Sequence, residues 1–256
     1  MNRLDPIVAA TREEVARRRE AAPLSALEPR DAADLRPFID AIANPGLSVI
    51  AEHKRRSPSA GAIREDLVLA DVVGAYERGG AAALSVLTEG PSFGGSLDDL
   101  RTARAAVRLP VLRKDFIVDP YQLHESFAAG ADAILLIVAA LPATDLSALY
   151  AEAIGLGLGV LVEVHDAGEL DAAMSLGAPI IGINNRDLTT LEVDIRRTFE
   201  LLPRVAGRAL VVSESGFSRP DQLDELAQAG LDGVLIGEAL MRAPDVETAC
   251  RELAVR

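Results

Sequence analysis

The sequence predicts an α/β fold: a (β/α)8 TIM barrel with an N-terminal helical extension, as a single domain over residues 1–256 of which about 1–45 form the extension. Eight short aliphatic runs alternate with alanine-rich, charge-studded stretches of helical period. Gly80, Gly130, Gly177 and Gly230 each stand where a helix gives way to the next run, at intervals of 50, 47 and 53 residues, so each interval holds two βα units. Mostly apolar strands joined by helices make a parallel sheet covered on both faces. Eight such units in 256 residues fit a closed barrel, which takes roughly 250, better than the alternative of an open doubly wound sheet.

In chain order, the first element is a helix over 11–20, where Thr11 followed by Glu14 has the capping-box pattern. Its Arg17, Arg18 and Arg19 are interleaved with Glu13, Glu14 and Glu20, as on a solvated face. The apolar runs that follow, read as strands 1 to 8, cover 47–51, 82–87, 110–112, 133–138, 159–164, 179–183, 209–212 and 233–236. After the eighth comes a short helical stretch, 239–241, before the last helix begins near Asp245.

Composition narrows the function. With 49% apolar and 25% charged residues, the chain can bury a sizeable core. A formal charge of −13 repels polyanions, so neither nucleic acid nor an anionic membrane is an expected partner, and an anionic ligand needs a local basic cluster. The single cysteine, Cys250, makes no internal disulfide. The opening Met1-Asn2-Arg3-Leu4-Asp5-Pro6 has no signal-peptide stretch, and no apolar run approaches the ~20 residues of a membrane helix, so a reducing cytoplasm is expected. Of the 26 basic residues only Lys54 and Lys114 are lysine. Arginine is a poor proton donor at neutral pH, whereas a lysine pKa can be tuned downward, so lysine at two places in an arginine-rich chain points to proton chemistry.

In a parallel barrel the chemistry gathers at the C-terminal ends of the strands. Strand 1 ends in Glu52 and Lys54, on one side of the strand, and leads into a loop with Ser57. Strand 3 ends in Lys114, strand 5 in Glu163, strand 6 in Asn184 and then Arg186, and strand 7 in Glu214 and Ser215. Charged groups converging on a confined mouth are the mark of an active site. The loops after strands 7 and 8 carry Ser215-Gly216 and Gly237-Glu238 ahead of a short helix, the layout of a barrel phosphate site. His53, His124 and His165 show no metal-ligand spacing, and His53 and His165, read as lying off the Glu52 and Glu163 faces, point away from the mouth. No P-loop or nucleophile elbow is present. Residue types alone give an active site without fixing its reaction, and leave open a sugar-phosphate isomerase or Schiff-base aldolase and a silent barrel that binds a phosphorylated metabolite.

The segments Ile50–Ser59, Thr88-Glu89 with Phe93 and Gly95-Ser96, Leu112–Phe116, Leu135–Val138, Leu161–Val164, Gly182–Leu188, Glu214–Gly216 and Leu235–Gly237 resemble the indole-3-glycerol phosphate synthase family, in order and on every strand. One departure is Glu238, where the family often has serine; its carboxylate would repel a phosphate unless turned outward. The resemblance implies closure of 1-(2-carboxyphenylamino)-1-deoxyribulose 5-phosphate to indole-3-glycerol phosphate with loss of carbon dioxide and water, in tryptophan biosynthesis. It implies Lys114 as general acid, Glu163 oriented by Asn184 as stabiliser of positive charge, and Glu52, Lys54 and Glu163 as the acid and base of dehydration, with Glu214 and Ser215 completing the catalytic set. Phe93, Phe116 and Leu135 are implied as walls around the aromatic ring; Lys54 and Arg186 hold carboxylate and hydroxyls; and Ser57, Ser215, Gly216, Gly237 and the Glu238 amide cradle the phosphate. No cofactor or metal is implied. The expected partner is the small phosphorylated substrate, on a monomer, with other enzymes of the pathway as candidates.

Overall fold

In the computed structural model, which describes residues 4–205 and 207–254, eight parallel strands close into one barrel. They are β1 (Ser48–His53), β2 (Ala83–Leu87), β3 (Val111–Lys114), β4 (Ala133–Ile137), β5 (Gly159–Val164), β6 (Ile180–Asn184), β7 (Leu210–Glu214) and β8 (Gly233–Ile236). Each pairs with its chain neighbours, and β1 closes the ring on β8 with Ser48 opposite Gly233. Outside lie α3 (Leu69–Arg78), α4 (Leu97–Ala106), α5 (Pro120–Ala129), α6 (Ala143–Gly155), α7 (Ala167–Ser175), α8 (Arg196–Val205), α9 (Pro220–Ala229) and α11 (Val246–Ala254), with the one-turn α10 (Glu238–Arg242) on the loop after β8. The predicted barrel is therefore the observed one. Gly80, Gly130, Gly177 and Gly230 all adopt left-handed backbone, with φ of 89°, 97°, 70° and 85°, which lets each helix stop and the chain turn inward.

Side chains alternate along each strand between two apolar layers. Ile50, Leu112, Leu135, Leu161, Ile180 and Val212 fill the barrel interior, while Val49, Leu84, Ile134, Val162, Ile181 and Val234 pack outward on the helices. Below the interior sits the five-residue α2 (Phe38–Ile42), whose Phe38 and Ile42 plug the N-terminal end. Closed from below, the interior opens at the C-terminal ends of the strands.

The N-terminal helix differs from its expected limits. α1 spans Leu4–Ala21, so Thr11 is a buried mid-helix residue and caps nothing. The Met1-Asn2-Arg3 opening lies outside the described residues. Arg18 is also no solvated residue: its Nε and Nη2 reach Glu125 of α5 at 2.8 and 3.2 Å, while Arg17 pairs with Glu14 on the helix surface. Glu125 also accepts from the wholly buried Arg113 of β3 at 2.9 Å, and Arg113 in turn bonds Asp115 at 2.8 Å. A continuous ionic chain thus ties the extension to the strand that ends in Lys114.

Candidate active site

All fifteen candidate residues line one cavity of about 470 Å³ at the C-terminal mouth of the barrel. At its floor, Lys114 Nζ lies 2.7 Å from Glu163 Oε2 and 2.7 Å from Glu214 Oε2, bridging β5 and β7 from β3. Glu163 Oε1 accepts from Asn184 Nδ2 at 3.1 Å, and Asn184 Oδ1 accepts from the Arg186 amide at 3.0 Å, so the asparagine is locked in the orientation that serves the carboxylate. Just past β1, Lys54 donates from Nζ to Glu52 Oε1 at 2.7 Å, and Glu52 Oε2 accepts from Ser85 at 3.3 Å.

The electrostatics reverse one expectation. Burial alone would lower the Lys114 pKa, but Glu163, Glu214 and Glu52 around it push it well above the ordinary lysine range. The same lysine helps hold Glu163 far below the usual carboxylate range against burial. Glu214 gets less help: burial and the neighbouring Glu163 raise it to about 7, and its Oε1 is buried with no hydrogen-bond partner among the described residues. Of two like carboxylates on one cation, the less compensated keeps its proton longer.

The walls are apolar. Phe93 and Phe116 face each other with centroids 6.4 Å apart, beside Leu135. Phe93 is held by Glu89, whose Oε2 accepts from the Ser92 and Phe93 amides at 2.7 and 2.9 Å. Glu89 was absent from the expected site although the Thr88-Glu89 pair breaks the strand 2 run as Lys114 breaks strand 3; the strand-end rule finds it. Leu4 and Ile7 of α1 also line the cavity, and Arg242 of α10 adds a cation at the rim. Nothing local in the sequence marks Leu4 and Ile7, because α1 folds over the mouth from the far end of the chain. Arg186 is engaged by its own loop, donating to Leu191 O at 2.8 Å.

At the opposite end of the cavity, Ser215 and Gly216 follow each other in left-handed conformation, with φ of 65° and 99°. For a serine that is strained, and Asn185 holds it there by donating to Glu214 O and Ser215 O at 3.0 Å each. At Gly237 a Cβ would meet Glu52 Oε1 at 2.5 Å, so a side chain there has to push the Glu52 carboxylate aside. Glu238 turns along its helix to Arg242, Oε1 to Nε 2.9 Å, away from the loop glycines. Ser57 also lines the cavity, its Oγ accepting from the Ala60 amide at 3.1 Å in a small hairpin of Arg56–Ser57 with Gly61–Ala62.

The histidines divide. His53 is buried on the outer side of β1, as expected, and desolvation lowers it to about 4. His165 does not point away: it stands two residues beyond Glu163, on the same side of the strand, with Nε2 3.3 Å from Glu163 Oε1.

Known proteins resemble this chain to different depths. Solved structures of a thiamine phosphate pyrophosphorylase from Pyrococcus furiosus (TM-score 0.61, 20% identity, covering 81% of this chain and 93% of that one) and of the N-acetylmannosamine-6-phosphate 2-epimerase from Clostridium perfringens (TM-score 0.63, 15%, 80% and 90%) share the fold. Indole-3-glycerol phosphate synthases of Azoarcus sp. (strain BH72) and Burkholderia ambifaria (strain MC40-6) are 47% and 49% identical, covering 98% of both chains and 94% of both chains respectively. The indole-3-glycerol phosphate synthase family model matches residues 4–253, from the α1 residues over the mouth to the last helix. The chain belongs to the indole-3-glycerol phosphate synthase family.

Proposed function

We propose that the chain is a carbon–carbon lyase of the carboxy-lyase class, and that the fifteen cavity residues carry its ring closure of 1-(2-carboxyphenylamino)-1-deoxyribulose 5-phosphate. The observation that carries this reading is Lys114 shared between two buried carboxylates beneath aromatic walls. Phe93, Phe116 and Leu135 take the aromatic ring; Ser57, Ser215, Gly216, Gly237 and the Glu238 amide take the phosphate. Lys54, Lys114, Arg186 and Arg242 supply the positive charge that a −13 molecule otherwise withholds from an anionic substrate.

The aromatic carbon bearing the carboxylate attacks the ribulose carbonyl, and negative charge gathers on its oxygen. An ammonium has three protons, of which Glu163 and Glu214 occupy two. The third is free to face that oxygen. A raised lysine pKa does not prevent transfer, because an alkoxide is a stronger base than a lysine amine. Meanwhile the anilino ring becomes positive, and the Glu163 carboxylate, fixed by Asn184, lies in place to stabilise it. Carbon dioxide then leaves and the ring regains aromaticity. Loss of water needs an acid for the hydroxyl and a base for the released proton, both drawn from Glu52, Lys54 and Glu163. Fluorescence of the indole product on adding the carboxyphenylamino substrate tests the reading; no turnover, or trapping of a Schiff base by borohydride, would favour the aldolase alternative.

A further inference from the structure

His165 takes no part in the reaction just described, yet it is built into the site. Asp166 caps α7 by accepting from the Gly168 and Glu169 amides at 2.8 and 2.9 Å, which fixes the first turn so that Glu169 reaches back over the strand end. Glu169 Oε2 then accepts from the His165 backbone amide at 2.8 Å and lies 3.0 Å from its Nδ1. That clamp leaves Nε2, buried and without a hydrogen-bond partner among the described residues, at an ion-pair distance of 3.3 Å from Glu163 Oε1, the oxygen that accepts from Asn184. The imidazole is nearly buried, its side chain 10% exposed.

We propose that His165 is a positioning residue for the ring closure: an imidazolium clamped by Glu169 that fixes the Glu163 carboxylate and keeps it ionised against the aromatic ring. The inference rests on the role given to Glu163 above. The charged groups around the imidazole are Glu163 on β5, Glu169 on α7 and Asp187 in the loop after β6, with Lys114 and Glu214 beyond Glu163. All three nearest are acids, and Glu163 and Glu169 raise the imidazole pKa to about 9 against burial. At neutral pH the ring therefore carries its second proton and acts through charge and position, leaving proton transfer to other groups.

The chain has three histidines, so proton NMR can follow His165 directly, assigned by the signal that His165→Leu removes. Its midpoint is expected at about 9 and lower in Glu169→Gln, which keeps an acceptor for Nδ1 but removes the charge. His165→Leu should lower kcat about tenfold or more with KM within about twofold, as misplacement of a reacting group does. His165→Gln, whose neutral amide keeps a polar group near Glu163 without the charge, should recover part of that loss and lack the alkaline limb of kcat. Glu169→Gln should move that limb down by about one pH unit. A His165→Leu enzyme with kcat within about twofold of the parent, or an alkaline limb unmoved in Glu169→Gln, overturns the proposal. The Glu169→Gln arm does not depend on His165→Leu folding. Glu163→Gln tests the underlying reading separately: if it abolishes ring closure while His165→Leu does not, only this inference fails.

Discussion

Lys114 holds three protons and spends two on Glu163 and Glu214, so its removal does more than delete an acid. Lys114→Met leaves two buried carboxylates facing each other with no cation between them, and one must take up a proton. Turnover should fall by about 10²–10⁴-fold, the range of a lost general acid, and single-turnover formation of indole product would measure it. Lys114→Arg should be nearly as damaging, since the guanidinium keeps the charge but gives up its proton poorly. Glu163→Gln should depress the chemical step more than binding, because positive charge on the ring develops mainly in the transition state. Weaker binding with an untouched chemical step would make Glu163 a substrate clamp. At this scale the sequence showed which side chains meet but not what they do to one another. Two lysines among arginines, placed at strand ends, were legible because strands alternate with period two. The upward pKa of Lys114 was not, for its partners stand 49 and 100 residues further along the chain.

Elements show the same division between periodic and contingent structure. The eight strands and their glycine-capped helices could be read because each repeats a pattern that backbone geometry imposes. α1 starts well before Thr11, because Thr11 and Glu14 only mimic a capping box and the first described turn holds Pro6, a position at which a helix tolerates proline. The five residues of α2 are too few to show a helical period, although Phe38 closes the barrel. The element that tests the phosphate reading is α10. A side chain at Gly237 would strike Glu52 Oε1, so Gly237→Val should displace a catalytic carboxylate as well as crowd the anion, lowering kcat/KM about 10²-fold. Glu238→Ser removes only a half-exposed pair with Arg242, and should change KM less than about threefold. Inorganic phosphate should compete with substrate in the parent and in Glu238→Ser. Failure to compete, or loss of binding in Glu238→Ser, would move the anion site elsewhere.

The whole molecule records its buried charges in how its stability depends on pH. Two histidines act with opposite signs. His165, raised to about 9 by its acidic neighbours, gives stability that is complete below the unfolded value of 6.5 and lost as pH rises through about 9. His53, 2% exposed and lowered to about 4, gives stability that is complete above 6.5 and lost as pH falls toward 4, because the unfolded chain then binds a proton that the native barrel refuses. Carboxylates titrate in the same acid window, and a net charge of −13 shrinks there too, so the parent's acid unfolding cannot be assigned to one residue. A difference between two proteins can. His53→Gln changes no charge at pH 7 and keeps every other titrating group, so those contributions cancel on subtraction. Between pH 7 and pH 4 the parent should lose roughly 3 kcal/mol more unfolding free energy than His53→Gln, from about 2.5 pKa units at 1.36 kcal/mol each less the partial protonation at pH 4. Urea unfolding of both proteins at the two pH values measures it. A gap that stays constant would mean that His53 is reached by water or protonated within the fold, and that the outer layer between β1 and its covering helices is looser than its packing shows.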